Sequence, residues 1–332
     1  MKRLLSIART TGGFGGMQRL QSDLDRALEN VPDIIYVIVR PFGTLLDPTF
    51  LFRALLHARG SVVHLGDASL VFLIPLLRLC GAQRIIVTAC GLDVVYDHAL
   101  YQRYIRMLLK KADHVIAISR ATAAQVVHRG ANPRNVSVIP CGIVDVRGLT
   151  SGTGLLSVCR LVPRKGIAWF LEHVFPIVLA QDPAVRWTIV GDGPELVCIE
   201  QLRTQLKLES SVTILGSVSE EKKQKIFSVH SVFLMPNIPV PGNMEGFGIT
   251  CIEASARGLS VAAARLEGIQ DAVLEARTGI FFRPSDAEDA ARVVLSLLRN
   301  PLPPANVSRE TKESFSWRHL MPQYMDIFFP HS

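Results

Sequence analysis

No stretch of the 332-residue sequence is apolar for long enough to cross a membrane as a helix. Such a span needs about 20 residues; the longest apolar stretch, Ala68–Leu77, has ten and contains Pro75. There is no C-x-x-C pair. The six cysteines (Cys80, Cys90, Cys141, Cys159, Cys198 and Cys251) lie far apart, which argues against a zinc site and against a disulfide framework. A reducing cytoplasm is the expected setting. No repeat with a period of about 20–50 residues is present, and no low-complexity tract. The opening residues, Met1–Ala8, have a basic tip, but their apolar part stops at Arg9. They read as a first strand rather than as a signal peptide.

What is present is a large apolar complement. Hydrophobic residues make up 48% and charged residues 20%, and the mean hydropathy is +0.28. That composition excludes wholesale disorder and supplies a sizeable core. The length suits two domains of about 150 residues each. The net charge of +7 is unevenly placed. Residues 1–150 carry 18 Lys and Arg against 10 Asp and Glu, whereas residues 151–332 carry 18 against 19. An excess confined to the first half suggests an anionic partner there, a membrane surface or a polyanion.

Residues 3–141 alternate β-rich runs with helix-period segments. The strands are expected at Leu4–Ala8, Ile34–Val39, Val62–Leu65, Arg84–Thr88, His114–Ile118 and Val136–Ile139. The glycine-bearing segment Asp145–Gly154 breaks the pattern and reads as a linker. A second alternation follows, with strands at Leu155–Cys159, Trp187–Val190, Val212–Leu215, Val232–Met235 and Ser260–Ala263. A final amphipathic stretch, Val307–Phe328, carries Trp317, Leu320, Tyr324 and Phe328 at helical spacing. The pattern implies an α/β chain with two doubly wound parallel sheets facing a cleft.

Ligands in such sheets bind beyond the carboxyl ends of the strands, where helix N-termini point. Thr11–Gly16, after the first strand, holds four glycines, so its backbone can approach a ligand closely. It is neither G-x-G-x-x-G nor a Walker loop, and a tight turn remains the alternative. Cys159–Gly166 brings Arg160, Arg164 and Lys165 before a helix. Arg160 and Lys165 could supply charge-assisted donors to a diphosphate; a solvated basic turn is the bland reading. Gly191-Asp192-Gly193-Pro194 is a third strand-to-helix junction, or simply a good turn. The most specific pattern is Glu245-Gly246-Phe247-Gly248-Ile249 followed by Glu253. The glycines place Glu245 on a loop, and Glu253 falls on the helix starting near Ile249. Carboxylates are natural acceptors for vicinal sugar or ribose hydroxyls.

Together these residues resemble the GT-B glycosyltransferases of the large retaining family 4, over nearly the whole chain. Besides the loops above, the resemblance is carried by Ser119-Arg120, Val138 to Pro140 and the closing Phe315 to Trp317. It implies two Rossmann-like domains: residues 1–147 for the acceptor and 148–306 for the nucleotide sugar, with 307–332 a helix crossing back to the first. It further implies that Arg160 and Lys165 hold the donor diphosphate, that Glu253 binds the ribose and that Glu245 contacts the sugar. Gly246, Phe247, Gly248 and Ile249 would line sugar and phosphate, with Gly191 nearby. Gly13 and Gly16 would approach the diphosphate from the first domain, and Gly216–Val218 would meet the base. Asp93 would orient donor or acceptor.

The implied activity is metal-independent, retaining transfer of a hexosyl unit from a UDP- or GDP-type sugar to a glycan or lipid-linked acceptor, in polysaccharide or glycolipid synthesis. No cofactor is implied beyond the donor. Asp23 and Asp25 form a D-x-D pair, but on an expected helix, where positions i and i+2 face apart. The setting implied is cytoplasmic, peripheral on the inner face of the membrane. The helix face of Arg103, Arg106, Lys110 and Lys111, beside Tyr101, Tyr104, Ile105 and Leu108, could meet an anionic surface. Nucleic acid is not an expected partner, since no recognition module with interleaved aromatics occurs. One departure stands out: Cys90 occupies a place where similar proteins often have histidine. It motivates a rival reading, a sugar-nucleotide-binding subunit without catalysis; a GT-B phosphorylase or epimerase is a third. His64 reads as structural and His98 as a surface residue.

Overall fold

The computed structural model describes residues 2–9, 16–29, 31–41, 47–144 and 148–330. The chain forms two compact units, Met1–Val144 with Phe315–Ser332, and Asp145–Ser314.

In the first unit, six parallel strands form one sheet: β1 (Lys2–Ile7), β2 (Ile34–Val39), β3 (Val62–Leu65), β4 (Arg84–Ala89), β5 (His114–Ala117) and β6 (Val136–Val138). Their order is β2-β1-β3-β4-β5-β6. Central strands of a parallel sheet are buried on both faces, which explains their nearly continuous Val, Ile and Leu. Alternate residues go to opposite cores. Leu5, Val63, Ile85 and Val87 meet Phe50, Leu70, Leu77 and Ile105 on one face. Leu4, Val62, Ile86 and Ile116 meet Leu24, Leu28, Leu320, Tyr324 and Phe328 on the other. The strand order reverses between β1 and β3, so the loops after these strands, with Arg9 and Asp67, flank the switch point.

The second unit repeats the plan with β7 (Leu155–Val158), β8 (Trp187–Val190), β9 (Val212–Ile214), β10 (Val232–Met235), β11 (Ser260–Ala264) and β12 (Gly279–Phe282). The order is β12-β11-β10-β7-β8-β9, all parallel. Trp187, Phe170 and Phe175 fill its core, and the Trp187 indole N–H donates to Ser157 at 3.2 Å. Here the switch point lies between β7 and β10. The edge strand β12 was not expected from the sequence.

One expectation needs correction. The terminal stretch is not one helix over 307–332 but two, Pro304–Phe315 and Trp317–Phe328. Ser316 between them is extended (φ −68°, ψ 144°), because the Phe315 carbonyl accepts from Ile143 N at 2.8 Å and Ser316 bridges to Ile143. The chain therefore rejoins the first unit at Phe315, and residues up to Ser314 stay with the second. The segment read as a linker begins where the units divide, and where it is described it is held by hydrogen bonds: Thr150 N donates to Arg257 O at 2.8 Å and Ser151 N to Ser228 O at 3.2 Å. Gly152 lies so close to the Val229 main chain that no Cβ would fit. Residues 145–147 lie outside the described set.

The returning helix is seated by Trp317, whose indole lies over Gly142, where an added Cβ would overlap the ring. Gly142→Ala should therefore cost about 1–3 kcal/mol through overpacking, read as an earlier urea midpoint. An unchanged midpoint would show that the indole moves aside freely.

Candidate functional site

The site in the second unit grows from the ends of three adjacent strands. After β7 the chain passes Arg160 and makes a tight turn over Pro163–Lys165. Gly166 follows in the left-handed region (φ 65°), pressed on the Pro236 carbonyl where any side chain would collide. This close approach brings Arg164 and Lys165 beside the segment after β10, and Ile238 N donates to Arg164 O at 3.1 Å.

From that segment, Glu245 meets them. Lys165 Nζ lies 2.5 Å from Glu245 Oε2, Asn237 Nδ2 donates to the same oxygen at 3.2 Å, and Arg164 Nε lies 3.4 Å away. Glu245 and Lys165 are each 8% exposed. Burial pushes the Glu245 carboxyl up, but the Lys165 and Arg164 charges, with the hydrogen bonds from Lys165 and Asn237, outweigh it and hold the group below its ordinary range. Glu245 is therefore ionised at neutral pH. After β11, Glu267 and Gly268 hold the main chain of Glu245: Glu245 N donates to Glu267 Oε2 at 2.5 Å, and Gly268 N donates to Glu245 O at 3.1 Å.

Glu253 sits on the helix Ile249–Ser255, which starts after left-handed Gly248 (φ 98°). Its carboxylate is buried and lies 3.7 Å from Lys223 Nζ. Gly246 and Phe247 are buried in the loop between the two glutamates. Arg160 is exposed, and its guanidinium has no ion pair among the described residues, so it is available to an anion. Gly191 packs on the Cys159 carbonyl and its N–H donates to Gly216 O at 2.9 Å. It fixes the loop after β8 against the one after β7. Gly216 (φ 62°) faces open space and Val218 is half-buried.

Asn237, Glu267 and Lys223 were not singled out from the sequence, and Arg164 was given no role of its own. A polar residue just past a parallel strand was the available signal for Asn237 and Glu267. Nothing local marks Lys223, on the helix Glu220–Ser228.

The first unit gathers a separate cluster at its own switch point. Asp93 accepts from Ala68 N at 2.8 Å and from Cys90 N at 2.9 Å. Burial, then the nearby Asp67 charge, pushes its carboxyl up to about 7, against the pull of those amides and of Arg9. Arg9 Nε lies 3.0 Å from Asp67. Cys90 is buried, and burial followed by Asp93 pushes its thiol well up. It stays a neutral thiol. His64 pairs with Thr88 Oγ1 at 2.7 Å, packs on Phe328 and is pushed down to about 4 by burial, as suits a structural residue. His98 is exposed. Gly16 opens the helix Gly16–Glu29; Gly13 lies outside the described residues. Asp25, on that helix, accepts from Gln21 Nε2 at 2.7 Å, Tyr36 OH at 2.5 Å and Arg40 at 2.5 Å. Among the described residues no group of His, Cys, Asp and Glu could hold a metal ion.

The Lys165–Glu245 contact gives a stability test. Lys165→Met leaves a buried carboxylate short of its main partner, which should cost about 3–5 kcal/mol, while Lys165→Met with Glu245→Gln should recover most of it. The pair's stabilisation holds above the ordinary glutamate pKa of 4.5 and is lost as pH falls through the lower folded value. Urea unfolding at pH 7 and pH 4 checks both; equal losses in single and double variants would refute the coupling.

Comparison with known proteins identifies the family and the fold. The family model for Glycosyltransferase Family 4 matches residues 12–147, and that for Glycosyl transferases group 1 matches residues 152–300. The phosphatidylinositol N-acetylglucosaminyltransferase gpi3 subunit of Schizosaccharomyces pombe is 28% identical over 279 residues, 77% of this chain and 58% of that protein. The chain thus spans less than two thirds of that relative's length. A GDP-mannose-dependent alpha-(1-6)-phosphatidylinositol monomannoside mannosyltransferase of Mycolicibacterium smegmatis is 28% identical over 290 residues, 80% of this chain and 76% of the relative. Among solved structures, Anabaena Alr3699/HepE in complex with UDP superposes with a TM-score of 0.76 at 18% identity, covering 98% of this chain and 99% of that one; at that identity the likeness is one of fold. The chain belongs to the group 1, family 4 glycosyltransferases and has their GT-B fold.

Proposed function

We propose that this protein transfers a hexosyl unit, with retention and without a metal, from a nucleoside-diphosphate sugar to a hydroxyl of a lipid-linked acceptor. The observation that carries the reading is the convergence of Lys165, Arg164 and Asn237 on Glu245 at the switch point of the second sheet. Glu245 then accepts from donor-sugar hydroxyls, and Glu253 from the ribose. Lys165 has three N–H donors, so it can keep Glu245 while donating to phosphate; exposed Arg160 closes on the diphosphate from solvent. In the reaction the bond from the anomeric carbon to the diphosphate oxygen breaks and the bond to the acceptor oxygen forms on the same face. The acceptor's proton passes to the departing phosphate, whose charge Arg160 and Lys165 stabilise.

The named acceptors of the two relatives support a lipid acceptor: both are phosphatidylinositol lipids. UDP in one neighbour and GDP-mannose in one relative's name leave both nucleotides as assay arms. No described helix is long and apolar enough to cross a membrane, and the proposed site of action is the inner membrane face. The contact surface is the helix Ala99–Leu108 and the turn after it. There Arg103, Arg106 and Lys110 lie exposed with Met107 on one open face. The apolar residues expected beside them turn inward: Ile105 and Leu108 are buried, and Tyr104 OH donates to Ser69 O at 2.6 Å. Leu100 and Met107 are the ones exposed, at 73% and 52%. A second reading, a sugar-nucleotide-binding subunit, is favoured by buried, neutral Cys90 where a histidine is common.

Incubation with UDP- and GDP-sugars and phosphatidylinositol vesicles should yield a glycolipid of retained anomeric configuration, and Arg160→Ala should lower kcat/KM by about 10²–10³. Nucleotide-sugar binding with no product would favour the subunit reading; an inverted product would overturn retention. Sedimentation with anionic vesicles should fall as salt rises, since each basic residue contributes about 1 kcal/mol, screened by ions. Replacing Arg103, Arg106 and Lys110 by Ala should weaken it at low salt, and unchanged binding would move the contact elsewhere.

A further inference from the structure

Glu267 combines an unfavourable backbone with an unusual contact. Its φ is +46°, in the left-handed region that side-chain-bearing residues avoid and glycine accepts readily. Its Cβ and side chain would be unnecessary if only the turn mattered. The carboxylate reaches the N–H of Glu245 at 2.5 Å, 22 positions away. The next residue completes the hold, with Gly268 N donating to Glu245 O at 3.1 Å. Gly268 itself lies so near the Gly246 carbonyl that a Cβ there would overlap it and lie 2.7 Å from Phe247 N. Both main-chain polar groups of Glu245 are thus held by one dipeptide beyond β11.

We infer that Glu267 is a positioning residue: its strained turn clamps the main chain of Glu245 so that the Glu245 side chain meets Lys165, Arg164 and Asn237. The inference rests on the donor-site reading for its effect on turnover, but the clamp itself is a property of the ligand-free protein. Strain kept at a functional site is tolerated where the surroundings over-determine it, and the paired contacts to Glu245 supply that determination. Glu267 also lies close enough to Glu245 and Arg164 to feel both charges. A neutral acceptor in its place would keep the hydrogen bond and lose only the charge.

The test compares Glu267→Gly, Glu267→Gln and the parent. Glycine suits φ +46°, so Glu267→Gly should still fold, with the parent's far-UV circular dichroism. In the ligand-free protein, its Glu245 amide should exchange at least about tenfold faster, and the Glu245 carboxyl should titrate higher as it loosens from Lys165. Glu267→Gln should restore slow exchange. Unchanged exchange and titration in Glu267→Gly would overturn the inference whatever the protein's substrate. With a UDP- or GDP-sugar that the parent turns over, Glu267→Gly should lose about 10² in kcat while binding of the free nucleoside diphosphate stays the same. Equal loss of free nucleotide binding would also overturn it, since the clamp would then not act through Glu245. A parent that binds no nucleotide sugar would sink the donor-site reading, leaving the exchange and titration results to decide the clamp.

Discussion

A buried carboxylate in ionised form has to be compensated, and the second unit is arranged around meeting that requirement at Glu245. Two donors, Lys165 and Asn237 from two strand ends, share one of its oxygens, with the Arg164 charge 3.4 Å away. For Lys165 to arrive there, the turn after β7 must press on the Pro236 carbonyl, and only glycine at 166 allows that approach. For Glu245 to face Lys165, its own backbone is tied to the loop beyond β11. The consequence is a rigid, charged wall at the place where a doubly wound sheet receives its ligand. Dipoles and charges fixed in advance need no reorganisation when new charge develops beside them. The cost is that Lys165 and Arg164 are already engaged, which leaves exposed Arg160 as the cation with the freest reach.

The first unit shares the sheet plan but uses its carboxylates differently. Asp93 is held by two main-chain amides and Asp67 by Arg9 and the Ser69 amide, at 3.0 Å each. These contacts shape the turns after β3 and β4. Burial, with Asp67 close by, pushes the Asp93 carboxyl up to about 7. Asp25 shows how a motif can mislead in either direction. As half of a D-x-D pair it suggests a cation, whereas in the folded unit its oxygens accept from Gln21, Tyr36 and Arg40. The excess positive charge of the first half is likewise resolved by position. Arg40 and Arg9 serve internal carboxylates, while Arg103, Arg106 and Lys110 remain at the surface with Leu100 and Met107.

The alternation of strands and helices was legible because period and burial are local: Leu4 and Leu5 already assign themselves to opposite faces. So were the loops after β7 and β10, whose glycines and charges stand next to one another in the chain. β12 was not, and neither was the break at Ser316, which depends on Ile143 using the Phe315 carbonyl.

The sequence by itself determined the doubly wound architecture, the family and some of the charged residues at the strand ends, among them Arg160, Lys165 and Glu245. It did so because hydrophobic period and loop composition act over a few residues. Only the tertiary structure decided which charge meets which: Lys165 finds Glu245 across 80 positions, Glu253 lies beside Lys223, and Glu267 holds the Glu245 main chain. Pairings of that kind follow from how strands neighbour one another in the sheet, and no local pattern encodes the order β12-β11-β10-β7-β8-β9 that sets β7 beside β10.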